Sequence, residues 1–317
     1  MIIRWTHVWM MTSGLVTLSA NSPIARLRET CRPQNPGDVS RGRSADGTPH
    51  GGPRRVIDTL TSVTSTTVAD YAAAFQRHAA SLVPAGHGLI DHDGLLGFAG
   101  TRAWPDARLL VTDDKALSLL HEMLPSVSAG TIKVLDTAPG CRALLDQTHS
   151  WARESTTAMV CLDLNAVPDL PIPDGLTFHP VLRSPADGTI GIPLAHAAAA
   201  YLHAQADATA TPPLDQFISY LGSLPDRARL FAAVDESGVV QATSASEATD
   251  EDARVFFVST HPSCRGRGIG TAMTAAALHD AACFGSRQAS LESTHAGIGI
   301  YTRLTFEPVS AVSVYHR

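Results

Sequence analysis

The stretch His261–Phe284, HPSCRGRGIGTAMTAAALHDAACF, places three glycines and two arginines in the six residues Arg265–Gly270 and then enters an alanine-rich helical pattern. The helical part has a core stripe of its own, with Ile269, Met273, Ala276, Ala277 and Phe284 at helical spacing and Ala272 beside them. Packing does not require Arg265, Gly266, Arg267, Gly268 and Gly270 together. Glycines let main-chain N–H groups come close to a ligand, and the first turn of a helix offers unpaired donors and a partial positive charge. Two guanidinium groups add permanent charge and forked donors suited to phosphate. The loop reads as a pyrophosphate cradle. A dinucleotide fingerprint read from Gly266 needs glycine at position 271, where Thr271 stands, and the G-K-[ST] of a P-loop does not occur.

The neighbours of this loop narrow the reading. Ahead of it runs an apolar strand, ARVFFVST (253–260), and about thirty residues beyond its start comes IYTRLTFEPV (300–309). The R-x-x-G-x-G of Arg265–Gly270, together with the Y-x-x-x-T-F of Tyr301–Phe306, resembles the GNAT superfamily of acyl-CoA-dependent N-acetyltransferases. The resemblance covers about Leu176 to the C-terminus in element order, with its diagnostic residues in 253–308. It implies an α/β fold with a splayed, mixed and mostly antiparallel sheet flanked by helices. It also implies that Arg265, Gly266, Arg267, Gly268, Ile269, Gly270 and Thr271 hold the pyrophosphate of acetyl-CoA as co-substrate. Main-chain groups of Val258 and Thr260, with Ser259 between them, would bind the pantetheine arm. Two departures stand out: Thr260 replaces the usual valine, and Thr305 replaces the usual glycine of the second motif.

Aminolysis of a thioester needs the ammonium deprotonated, the oxyanion stabilised and the departing thiolate protonated. By resemblance Tyr301 is the candidate acid, against the plainer reading of a half-buried core aromatic. The base is Glu247, Glu251 or Asp252, acting through water, and Asp252 best matches the carboxylate of some relatives. EATDED (247–252) reads equally well as a solvated acidic turn. Cys264 lies beside two arginines, but no base partner accompanies it, so its position is incidental.

The rest of the second half reads as a strand (LTFHPVL), two helices (IPLAHAAAAYLHAQADA and PPLDQFISYLGSL) and a hairpin turning at DESG. The hairpin rules out a purely parallel doubly wound sheet. Before it, residues 56–164 read as a smaller α/β domain. An amphipathic helix with Val68, Tyr71, Ala72, Phe75, Ala79 and Leu82 on one stripe opens it, and short strands and helices follow. Their order echoes the second half, as in tandem GNAT-like proteins. Where a phosphate loop should follow the third strand stands VTDDKALSLL, without glycine and with Asp113 and Asp114 at the helix start. Aspartates there cap a helix but repel a phosphate, so this half is expected to have lost the cofactor. Proline-rich residues 165–175 read as a linker to the domain 176–317.

Residues 1–55 lack apolar periodicity and read as a disordered leader, with a weak likeness to a secretory signal at the start. Over the whole chain, 44% hydrophobic and 17% charged residues describe a soluble globular protein, and a net charge of −6 argues against a nucleic-acid partner. The apolar run at the start is too short to cross a membrane. Five widely spaced cysteines without a C-x-x-C pair fit a cytoplasmic protein, and no metal motif occurs; His87, His92 and Asp93 read as surface residues. The expected function is transfer of an acetyl group to a primary amine on a small molecule or peptide, with a homodimer allowed. The alternative is a non-catalytic acyl-CoA-binding module.

Overall fold

A computed structural model describes residues 56–83, 88–100, 106–148, 150–183, 191–205 and 211–317, with residues 56–67 described in backbone only. The expected leader and His87 lie outside the described residues.

One twelve-stranded sheet organises the chain. The first half contributes helix α1 (Val56–Leu82) and strands β1 (Leu89–His92), β2 (Leu95–Phe98) and β3 (Ala107–Val111). A short 3-10 turn and α2 (Leu117–Met123) follow, then β4 (Gly130–Leu135), α3 (Pro139–Asp146) and β5 (Ala152–Cys161). The second half contributes β6 (Leu176–Leu182), β7 (Ile192–Pro193), α4 (Leu194–Ala204), α5 (Leu214–Ser223), β8 (Ala228–Asp235), β9 (Val240–Ala248) and β10 (Asp252–Thr260). It closes with α6 (Ile269–Cys283), β11 (Gln288–Ser293), α7 (Ile298–Thr302) and β12 (Glu307–His316). The stretch GLIDHDG (88–94) supplies β1 and the turn of a hairpin with β2, because Gly94 takes the positive φ of 86° that the reversal needs.

The strand order is β1-β2-β3-β4-β12-β5-β11-β10-β9-β8-β6-β7. It contains a pseudo-twofold repeat. Strands β1, β2, β3 and β4 correspond to β8, β9, β10 and β11: two antiparallel pairs, then one parallel pair. The two closing strands are exchanged. β12 inserts between β4 and β5, and β5 inserts between β11 and β12. The sheet is therefore continuous across both halves of the chain.

Alternation along the strands assigns the faces. Helices α2, α3 and α6 cover one face, over cores built on Leu109, Ile132 and Tyr315 at one end and on Met159, Val255 and Leu291 at the other. Helices α1, α4 and α5 cover the opposite face, where Tyr71 packs with Leu110, Ala158 and Val314. Helix α6 differs from the single stripe expected of it. Ile269, Met273 and Ala277 are buried, but so are Ala275, Leu278 and Ala281, because the helix is wedged between two core clusters. Phe284 is 53% exposed and sits under the Arg229 guanidinium, outside the core. Residues 165–175 pack along α6, where Val167 and Leu170 join the core and the Pro168 carbonyl lies 3.3 Å from His279 Nε2. No helix among the described residues is long and apolar enough to cross a membrane.

The strand exchange has a direct consequence. A fragment of residues 56–168 lacks β12 and leaves the inner edges of β4 and β5 unpaired. It is expected to show no protected amides in hydrogen exchange, whereas the whole chain unfolds in one transition; a folded, protected fragment would refute the interdependence.

Candidate active site

The Arg265–Thr271 loop lies where β10 hands over to α6. Gly266 and Gly268 have φ of 78° and 79°, in the left-handed region, and a Cβ at either would meet nothing within 4 Å. The glycines serve backbone conformation and leave open space above the main chain. Gly268 is the N-cap of α6 and has no side chain to cap it, so the N–H groups of Ile269, Gly270 and Thr271 point outward without intrahelical partners. Arg265 acts as a strut, donating to the Ala204 carbonyl at 2.9 Å and the Thr260 carbonyl at 3.3 Å. Arg267 reaches the Asp174 carbonyl at 3.5 Å and is exposed. Gly270 has a different reason to be small, because a Cβ there would stand 3.1 Å from Thr260 Oγ1. The loop and helix end thus fit a pyrophosphate sterically and electrostatically.

Strand β10 is kinked beside this loop. Its register with β9 shifts between Phe256 and Ser259, and Phe257 sits at φ 57°, a β-bulge with a non-glycine residue in the left-handed region. Thr243 pins the bulge, with its hydroxyl donating to the Phe257 carbonyl at 2.8 Å and 2.9 Å from the Ser259 hydroxyl. The Phe257 ring stacks on Tyr201 at 4.8 Å. As a result β10 and β11 pair only at Asp252, Ala253 and Arg254 and then part. The sheet opens there, with Val258, Ser259 and Thr260 on one lip. In the first half the equivalent strands β3 and β4 stay paired from Ala107 to Val111, so no cleft opens. Asp114 closes that end as well. Its carboxylate accepts from the N–H groups of Cys141 and Gly140, both at 2.9 Å, and these bonds hold its pKa down.

Tyr301 lies on α7, and its orientation comes from a helix-ending motif. The Phe306 N–H donates to the Tyr301 carbonyl at 3.1 Å and the Thr305 N–H to the Thr302 carbonyl at 3.2 Å, the pair of bonds that defines a Schellman cap. The accompanying apolar contact is the Phe306 ring set edge-on to Tyr301 at 6.0 Å. Such a cap needs a left-handed residue before Phe306, and Thr305 has φ 65°. The departure from glycine noted in the sequence is therefore a threonine held in a glycine conformation. Its hydroxyl donates to the Leu304 carbonyl at 2.6 Å and lies 3.2 Å from Cys161 Sγ. Burial, with Tyr201 nearby, pushes the Tyr301 phenol up to about 12, so it keeps its proton throughout the neutral range.

A cavity of about 870 Å³ runs from the glycine loop past Tyr301, through the splay, to a polar chamber under α1. None of the three candidate carboxylates lines it. Asp252 is fully buried and is bonded by Arg77, with His78 Nε2 at 3.0 Å. Glu247 accepts from Ser81 at 2.8 Å and Arg227 at 3.3 Å, with His78 Nδ1 at 3.6 Å. Glu251 is an exposed partner of Arg77. EATDED is thus split: Glu247 and Asp252 are sealed under α1, and Asp250 and Glu251 are exposed. Burial acts to raise both buried carboxylates, but His78 and neighbouring cations outweigh it, and Glu247 falls to about 2. His78 is the member of this cluster that reaches the cavity wall. Cys264 is buried, with Gln241 Oε1 at 3.2 Å and Ser263 Oγ at 3.7 Å from its sulfur.

The sequence reading missed the chamber. Glu292 on β11 accepts from Tyr71 at 2.6 Å and from Lys133 at 2.5 Å, while Arg254 and Arg108 flank Tyr220. The signal was present as lone charges inside apolar strands: Lys133 in TIKVLD, Arg254 in ARVFFVST and Glu292 in QASLES.

Residues 226–308 match the family model described as an acetyltransferase (GNAT) domain. The structure resembles a GCN5-related N-acetyltransferase from Kribbella flavida, at 19% identity, covering 77% of this chain and 95% of that one, with a TM-score of 0.50. Also similar are a functionally unknown conserved protein from Staphylococcus epidermidis (11% identity, 74% and 94% covered, TM-score 0.49) and a tandem GNAT protein from the clavulanic acid biosynthesis pathway (15%, 64% and 68%, 0.40). No curated protein matches the chain. The likeness to solved structures shows the fold, and the family model carries the class. The chain has a GNAT acetyltransferase domain and is an acyltransferase, as the paired motifs implied.

Two stability measurements check this geometry. Thr305→Gly removes left-handed strain of ~1–2 kcal/mol but adds unfolded-state freedom, so a net gain of about 0.5–1 kcal/mol is expected in denaturant unfolding. A loss instead would mean that the hydroxyl contacts outweigh the strain. Glu247 ionises at about 2 in the fold against its ordinary 4.5, so its contribution is complete above pH 4.5 and fades as the pH falls towards 2. Glu247→Gln should cost ~3 kcal/mol near neutrality and flatten the acid limb of the stability profile. An unchanged acid limb would show that the cluster is not ion-paired in solution.

Proposed function

We propose that the protein transfers an acetyl group from acetyl-CoA to a primary amine of a small molecule or peptide. The observation that carries this reading is one continuous cavity joining the bare helix N-terminus at Gly268 to the opened strand pair and Tyr301. Arg265, Gly266, Arg267, Gly268, Ile269, Gly270 and Thr271 would hold the pyrophosphate, through main-chain donors and the charge of the loop. Val258, Ser259 and Thr260 would bind the pantetheine arm by main-chain bonds that β10 no longer makes to β11. Acetyl-CoA, when bound, supplies the activated acyl group.

The acceptor amine approaches through the splay from the chamber side. Tyr301 holds a proton at Oη and would pass it to the departing thiolate. Asp252 enters as a positioning residue, because its carboxylate touches the cavity only through His78. Cys141, Cys161 and Cys264 are buried free thiols, which supports a reducing, cytoplasmic setting. The sealed state of Asp252 and Glu247 is also what favours the second reading, an acyl-CoA-binding module without turnover.

A ligand that binds only the native state stabilises it by about 2.7 kcal/mol at a hundredfold excess over its Kd. Acetyl-CoA should raise the melting temperature of the protein, and Gly268→Asp should abolish the shift; equal shifts would remove the loop from the site. Tyr301→Phe keeps the ring and its edge contact with Phe306. Acetyl-CoA binding should survive in this variant while CoA release with a panel of amines falls ~10²–10⁴-fold. Unchanged turnover would make Tyr301 a packing residue. Acetyl-CoA binding with no turnover of any amine would favour the binding module.

A further inference from the structure

The chamber end of the cavity is assembled from both halves of the chain. Arg108 comes from β3 and Lys133 from β4 of the first half, while Arg254 and Glu292 come from β10 and β11 of the second. Tyr220, from α5, sits over them. Most charges in this wall are matched inside the protein. Lys133 bonds Glu292 at 2.5 Å, and His316 Nε2 stands 2.9 Å from Glu154 Oε1.

Arg254 is the exception. Among the described residues it has no carboxylate within ion-pair distance. Its partner in the β9 ladder is Glu247, but that carboxylate is already taken by Ser81, Arg227 and His78. The guanidinium instead lies 5.1 Å over the Phe256 ring, beside the cavity. Arg108 stands 5.1 Å from the Tyr220 ring centre on the same wall. Burial acts to raise the Tyr220 phenol, yet the two arginines reverse this and lower it, which shows how strong the positive field is at that point. A guanidinium on the cavity wall with no carboxylate in contact is costly to enclose, and a ligand anion entering beside Arg254 would relieve that cost. Two guanidinium groups with a phenol between them match the planar, multi-oxygen geometry of a carboxylate or phosphate.

We propose that the acceptor amine carries an anionic group, a carboxylate or a phosphate, and that Arg254 and Arg108 hold that group in the chamber while the amine faces the splay. The acceptor's part in this rests on the acetyl-transfer reading above. The anion site itself does not, and the two can fail separately.

Anion binding is therefore tested first in the full chain carrying Gly268→Asp, which blocks the pyrophosphate loop. Inorganic phosphate and acetate, titrated at constant ionic strength, are expected to raise the melting temperature in this background, and the stronger of the two identifies the anion. Adding Arg254→Gln should remove the shift, and Arg254→Lys, which keeps the charge and loses the fork, should retain part of it. Arg108→Gln reports on the opposite side of the site if Arg254→Gln fails to fold. No shift with either anion, or a shift that survives both Arg254→Lys and Arg108→Gln undiminished, overturns the site.

The second arm follows CoA release by the unmodified chain with matched amines: β-alanine against β-alaninamide, and O-phosphoethanolamine against ethanolamine. The anionic member should have the higher kcat/KM in one pair, and Arg254→Lys should reduce that preference ~10-fold or more, mainly through KM. Preference for the neutral members overturns the acceptor assignment. If acetyl-CoA neither binds nor turns over but the anion shift stands, the acetyl-transfer reading has failed and the anion site has not.

Discussion

The exchange of β5 and β12 is the constraint on which the rest of the structure depends. Each of these strands hydrogen-bonds to the other and to the fourth strand of the opposite half, so neither half can complete its sheet alone. The interaction is mostly backbone, with Val312 and Val314 packing on one face and Tyr315 on the other. Because β11 is flanked by β5, its residues Ser290 and Glu292 face a wall that belongs to the first half. The chamber under α1 exists only because the exchange places β3, β4 and β10 on one curved surface.

Within that frame, one backbone irregularity separates the two halves chemically. The topological repeat gives each half a parallel strand pair joined by a helix, α2 in the first half and α6 in the second, the arrangement in which a bent strand can open a cleft. In the second half, the bulge at Phe257 directs β10 away from β11, and glycines leave the following helix end bare. In the first half β3 is regular, the turn into α2 carries Asp113 and Asp114 where the second half has its glycines, and the Asp114 carboxylate is committed to the N–H groups at the start of α3. Two aspartates and a straight strand turn the same topology into scaffold.

The sequence made some of this legible and hid the rest for physical reasons. Local rules sufficed where a function needs a backbone conformation: Gly266 and Gly268 stood out because left-handed φ and open space are glycine properties. The Schellman position was visible as a departure, Thr305, although only the dihedral explains what the departure means. The helix stripe was half right, since alanine fills both faces of α6 and periodicity cannot show a helix that is buried all round. The strand exchange leaves no local trace, because pairing partners are not encoded in alternation. The acidic stretch EATDED was ambiguous for a related reason: whether a carboxylate is solvated depends on what packs over it. Here α1, some 170 residues earlier, brings His78 onto Glu247 and Asp252, and Arg77 onto Asp252 and the exposed Glu251.

The same dependence explains why the first half persists without a cofactor cleft of its own. A half that served only as a lid would need an apolar underside against the sheet. Helix α1 has one, in Val68, Ala72 and Phe75, but Tyr71 and His78 on the same face are polar and each meets a carboxylate of the second half. From the sheet, Lys133 and Arg108 add charge to the same enclosed space, at positions where β-strand alternation would allow an apolar residue. Enclosed polar groups at half-to-half contacts cost stability unless they are satisfied, and apolar replacements would pack at least as well. Their placement around a cavity continuous with the Tyr301 cleft makes sense if the first half forms the wall that the acceptor meets. On this argument the half that lacks the glycine loop supplies selection, and the half that retains it supplies activation.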